Sequence, residues 1–134
     1  MAKIVLGQRP QKISRTIFFK LVDGSDGSIT VDYKYRTRSE YGDMVDMLKD
    51  RGQKAAEEVA AAAVAADTEL GFSAILDQTA QANVEFLIEA LDGWNLDAAM
   101  NRDSIRQLVD EYPQGVLEII NSYRLACTEG RLGN

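Results

Sequence analysis

Between Ile13 and Val22 the apolar positions begin to alternate: Ile17, Phe19 and Leu21 share one parity, with Thr16, Phe18 and Lys20 between them. Asp23-Gly24-Ser25-Asp26-Gly27 follows, a dense run of turn-forming residues. The alternation then resumes, with Ile29, Val31, Tyr33 and Tyr35 on one side and Thr30, Asp32, Lys34 and Arg36 on the other. Two period-two runs around a glycine-rich turn predict a β-hairpin over residues 13–36. Residues 1–12 hold no sustained period and read as an N-terminal arm or a short first strand. An isolated hairpin is marginal in water, so this one needs helices, or a strand of another subunit, to pack against.

After Thr37 the period becomes helical. Ser39 is placed to cap a helix in which Val45, Leu48, Gly52, Ala55, Val59, Ala62 and Ala66 recur at 3-4 spacing. This is either one long helix or two broken at Gly52. The stretch Ala55–Ala66 is rich in alanine, which favours helix and leaves a smooth surface, yet offers little area to bury. Ser73 is the predicted cap of the next helix, whose stripe is Leu76, Ala80, Val84, Leu87, Ile88 and Leu91. Asp92-Gly93 should stop it, with Trp94 folding back onto the stripe. Asn101 or Asp103 caps a short helix carrying Ile105, Leu108, Val109 and Tyr112, and Pro113 opens the last one, with Val116, Ile119, Ile120, Tyr123 and Cys127 on one face. Residues 129–134 are polar and glycine-rich and read as a flexible tail. The expected architecture is a single α+β domain dominated by helix, with an N-terminal hairpin followed by four or five helices over residues 39–128.

Composition narrows the chemistry. The 134 residues include no histidine, which removes the commonest general base and transition-metal ligand. The one cysteine, Cys127, has no partner for a disulfide and no histidine to activate it. The Asp-rich turn fails as a calcium loop, because the twelfth position counted from Asp23 is Lys34 where a glutamate is needed. Adjacent acids such as Glu57-Glu58 and Asp110-Glu111 diverge on a helix and do not form a carboxylate pair. No cofactor, metal site or catalytic residue is expected, and the chain reads as non-enzymatic. No apolar run is long enough to span a membrane, and Ile4–Leu6 is too short for a secretory signal, so no membrane partner is expected either.

Charge is split along the chain. Residues 1–40 carry eight basic and four acidic groups, whereas residues 41–134 carry seven basic and seventeen acidic ones. A basic head and an acidic body attract copies head to tail; the plainer reading is two solvated surfaces. Tyr33, Lys34, Tyr35, Arg36 and Arg38 interleave aromatics with cations as a nucleic-acid surface does, but the tyrosines share the parity of Ile29 and Val31 and so should face the core. The acidic body would also repel a polyanion, so no nucleic acid is expected as partner. The candidate partner or self-association surface is Lys20, Lys34, Arg36 and Arg38 with Tyr35 and Trp94.

The order of signals in the second half is similar to that of a known family. A helix ending in Asp-Gly-Trp-Asn-Leu (92–96) is followed by the short NRDSIRQLVDEYP helix and then QGVLEIINSYRLACTEGRLGN. This resembles the C-terminal half of the tail assembly chaperones of long-tailed bacteriophages, and the Asp-Gly hairpin with Tyr-Lys-Tyr-Arg-Thr-Arg-Ser-Glu after it is similar to their N-terminal part. The resemblance covers most of the chain from Ile13 and is weakest over Ala55–Ala66. It implies a protein of the host cytoplasm during infection that is absent from the mature virion. Such a protein coats the tape measure protein, keeps its hydrophobic helices soluble and recruits tail tube protein. Many members have a longer form made by a −1 frameshift. Leu132-Gly133-Asn134 is compatible with a slippery G-GGA-AAC or G-GGA-AAT heptamer, so these residues are the candidate frameshift point. The alternative is a structural virion protein such as a head–tail connector or tail completion subunit.

Overall fold

The computed structural model describes residues 3–10 and 13–131. Leu132, Gly133 and Asn134, and with them the candidate frameshift point, lie outside the described residues. The hairpin forms where the alternation places it. β1 (Ile13–Lys20) and β2 (Asp26–Tyr33) pair antiparallel, from Ile13 opposite Tyr33 to Lys20 opposite Asp26. Gly24 takes φ +87° in the turn, a left-handed conformation that suits glycine. Ile17, Ile29, Val31 and Tyr33 point inward and are buried. The opposite face is zipped by polar pairs, Ser14 to Asp32 and Thr16 to Thr30.

The strand ends at Tyr33, three residues before the predicted limit, because Thr37 starts a helix. Thr37, and not Ser39, is the N-cap: its hydroxyl accepts from the Glu40 amide (3.2 Å) while the Glu40 carboxylate accepts from the Thr37 amide (2.9 Å). The helix α1 (Arg38–Ala65) passes through Gly52 unbroken for 28 residues. α2 (Phe72–Ala90) begins one residue ahead of the predicted Ser73 cap, after Gly71.

Leu91–Trp94 then forms β3, a strand the periodicity does not predict. It adds to β2 antiparallel, so the sheet order is β1-β2-β3, with a bulge between Asp32 and Tyr33. Asp92-Gly93 therefore ends the helix by turning into the sheet. Trp94 lies opposite Val31 and packs on the core, its indole N–H donating to the Ala98 carbonyl (2.7 Å). The Asn95 side chain and amide continue the pairing to Thr30.

α3 (Arg102–Glu111) is capped by Asn101, with Ser104 closing a reciprocal pair of hydrogen bonds. α4 (Pro113–Glu129) starts on its proline and ends at Gly130, whose φ of +69° closes the helix. Glu129, placed in the predicted tail, is thus the last residue of α4. α4 lays Val116, Ile119, Tyr123 and Cys127 on the inner face of the sheet. Burial pushes the Cys127 thiol up, away from the reactive thiolate. The core is one cluster bounded by the sheet, α3, α4, the first turns of α1 and the last turns of α2.

Candidate partner-binding surface

The far half of α1 and the near half of α2 leave this core. Of the 28 residues of α1, about 42 Å of helix, only Met44 is buried. The buried residues of α2 are Val84, Leu87 and Ala90, all in its second half. The two helices and the turn between them form a projecting arm. Along it Val59, Val64, Leu70, Phe72, Ile75 and Leu76 are exposed, Phe72 by 74% and Val64 by 81%. The stripe read from the sequence is present on α1, but beyond Leu48 its positions Gly52, Ala55, Val59, Ala62 and Ala66 are exposed among the described residues.

Between α1 and α2 the arm encloses a groove of about 830 Å³. Its floor is Tyr41, Val45, Leu48, Ala55, Val59 and Phe86, with Gly52 and Ala82 letting a visitor approach the backbone closely. Lys49 and Arg51 stand on the α1 wall, and Asp77 and Glu85 on the α2 wall. The α2 acids are tied back to α3, Asp77 by Arg106 (3.0 Å) and Glu85 by Arg102. α2 is therefore tied to α3 from Asp77 onward, whereas on α1 the last ion pair to another element among the described residues is Arg51 to Glu89 (3.8 Å). Apolar patches of this extent, rimmed by charge, mark a binding surface.

The residues singled out by sequence fall in three places. Lys20 sits at the turn end of β1, paired with Asp26. Lys34, Tyr35, Arg36 and Arg38 cluster at the other end of the hairpin, seven strand residues or about 24 Å away. Trp94 lies between these ends on the inner face. The structure thus brings four of the six together. Within that cluster, Arg36 is drawn inward: its guanidinium donates to the Glu89 carbonyl (2.6 Å) and the Tyr123 hydroxyl (2.9 Å), and pairs with the Glu89 carboxylate (3.3 Å). Lys34 reaches back to the Ile88 carbonyl (3.3 Å). Tyr35 lies half-buried with the Arg9 guanidinium 5.2 Å from its ring centre. Arg9 also forks onto Glu40 (2.5 and 2.9 Å), and that hydrogen bonding holds the Glu40 carboxyl down to about 2. Arg38 stays exposed at the start of α1. The groove residues are a further set. Their signal in the sequence is only the apolar stripe that runs on into alanine.

A family model described as phage tail assembly chaperone matches residues 1–134. The chain belongs to that family. Comparison with curated proteins and with solved structures gave no match. Membership implies other tail proteins as partners and suggests a non-enzymatic role. No helix among the described residues is long and apolar enough to cross a membrane.

Proposed function

We propose that this member of the tail assembly chaperones holds the tape measure protein, and that the α1–α2 groove is where it does so. The chaperone works in the host cytoplasm during infection, keeps the hydrophobic helices of the tape measure soluble, helps recruit tail tube subunits, and is left out of the finished virion. The observation that carries this reading is the groove. It is apolar, open, and lined along one side by small residues at helical spacing, so a helix with an apolar stripe fits it by the helix-in-groove mode. The opposite charges of the first forty residues and the rest support copies joining head to tail into a ring or open spiral. A frameshifted longer form would extend from Leu132-Gly133-Asn134; a Gly133 codon other than GGA rules out the proposed heptamer.

Co-expression with tape measure segments tests the reading. The native chain is expected to keep them soluble, and Ala55→Glu with Val59→Glu to release them into the pellet while the helical circular dichroism is unchanged. Equal solubilisation by the groove variant would overturn the placement. Mass spectrometry of purified particles should find no peptides of this chain; finding them at stoichiometric level would favour a connector or completion subunit.

A further inference from the structure

The N-terminal arm carries a second uncovered apolar group. Ile4, Val5 and Leu6 are exposed by 88, 55 and 94%. Their surroundings are wholly basic: residues 1–22 contain Lys3, Arg9, Lys12, Arg15 and Lys20 and no acid. The α1–α2 arm has the reverse balance, with nine acidic and four basic groups over residues 38–79. The root of the N-terminal arm is fixed, because Arg9 is clamped on Glu40 and Tyr35 at the start of α1. Despite that position, Ile4–Leu6 does not enter its own groove, which stays open. One chain thus displays an apolar plug in a basic segment and an apolar groove, its own rim of mixed charge, set in an acidic arm, each unfilled by the other.

We propose that Ile4-Val5-Leu6 of one copy occupies the α1–α2 groove of a second copy. The inference rests on reading the groove as the client's seat, and it adds a regulation to it. A copy whose groove holds a neighbour's arm cannot hold a tape measure helix there, so self-association and client binding compete. The free chaperone keeps its apolar groove covered, and the client opens the assembly by displacing the arm. The contact is heterologous, plug to receptacle, and so propagates from copy to copy. Its apolar part anchors it and its charge difference steers it, which makes it sensitive to salt.

Cross-linking between two differently marked copies tests this. Both carry Cys127→Ala, to remove the native thiol; one has Val5→Cys and the other Gly52→Cys. Gly52 lies in the groove with open space around it, so a side chain is accommodated. Mild oxidation of the mixture at low salt is expected to give a disulfide-linked heterodimer, and an excess of a tape measure helix to suppress it. Ile4→Ser with Leu6→Ser should weaken self-association by roughly tenfold or more in sedimentation, the loss expected for two buried aliphatic side chains. If no heterodimer forms but the groove still takes the tape measure helix, the arm proposal fails and the client reading stands. If neither occurs, both fail. A cross-link confined to single chains of a Val5→Cys, Gly52→Cys double variant would also overturn the exchange between copies.

Discussion

Arg36 sits where β2 hands over to α1, and three elements meet on its guanidinium. It donates to α2 through the Glu89 carbonyl and to α4 through the Tyr123 hydroxyl, which in turn donates to the Lys34 carbonyl (2.8 Å). Removing it takes a donor from the partly buried Glu89 carbonyl and from the Tyr123 hydroxyl and leaves the Glu89 carboxylate only Arg51, at 3.8 Å. Arg36→Ala is therefore expected to cost about 2 kcal/mol in urea unfolding, against about 0.5 kcal/mol or less for the exposed Arg38→Ala. A similar loss from both would mean that Arg36 is an ordinary surface cation. Tyr123 belongs to a second residue-scale device. Tyr33 packs on it with ring centres 5.0 Å apart and donates to the Ile119 carbonyl (2.8 Å), and burial pushes both hydroxyls up to about 12 from an ordinary 10. The folded state holds these protons more tightly than the unfolded chain does, so their contribution is whole below pH 10 and is lost as pH rises through about 12. Chemical unfolding of a Cys127→Ala chain, which lacks the buried thiol that would begin to contribute from about pH 9, should show stability level up to about pH 10 and falling beyond it, with the fall shallower when Tyr33→Phe is added.

Between the elements, stability is unevenly distributed. β1, β2 and α4 share the core, whereas outer α1 has only a bare stripe of alanine and valine against α2. Alanine sustains that helix by propensity, since few contacts do so. Hydrogen exchange is expected to be faster in residues 52–65 and 72–79 than in residues 84–90 and 116–127, by the difference between local and global opening. Ala61→Gly, exposed one turn before the end of α1, should remove up to about 1 kcal/mol from the arm and leave the body's thermal transition in place. These uneven elements were also unevenly legible. The hairpin and α4 declare themselves because their apolar positions repeat over at least eight residues beside strong punctuation, Asp-Gly at the turn of one and Tyr-Pro at the start of the other. β3 does not, because four residues with a glycine inside hold no period, and their partner strand lies some sixty positions earlier. The stripe on α1 was visible, and its lack of cover was not: periodicity shows which face is apolar, while only the folded chain shows that α4 and the sheet stop short of it. In the basic cluster, sequence gave the cations but could not show that Arg36 turns inward, since that depends on where Glu89 and Tyr123 arrive.

At the scale of the whole molecule, the division between a packed body and a bare arm makes the two separable. Every buried apolar residue lies outside positions 55–78 among the described residues, so excising that segment removes the arm tip and the outer wall of the groove at Ala55, Val59 and Asp77 without opening the core. A chain with a short Gly-Ser loop in place of residues 55–78 should keep the native β-signal and the near-ultraviolet signature of Trp94. Its thermal midpoint should move by only a few degrees, because the arm contributes little buried area to the transition. The same chain should no longer hold tape measure segments in solution, nor associate with its own copies. Intact binding in the excised chain would move the partner site to the Lys34–Arg38 cluster and the sheet edge. Unfolding of the excised chain would mean instead that the arm braces the body, and that its exposed Phe72, Ile75 and Leu76 are tolerated for the sake of the core and not kept for a partner. A body that folds and a function that disappears is the outcome expected of a chaperone, whose fold serves to present an apolar surface that it does not itself use.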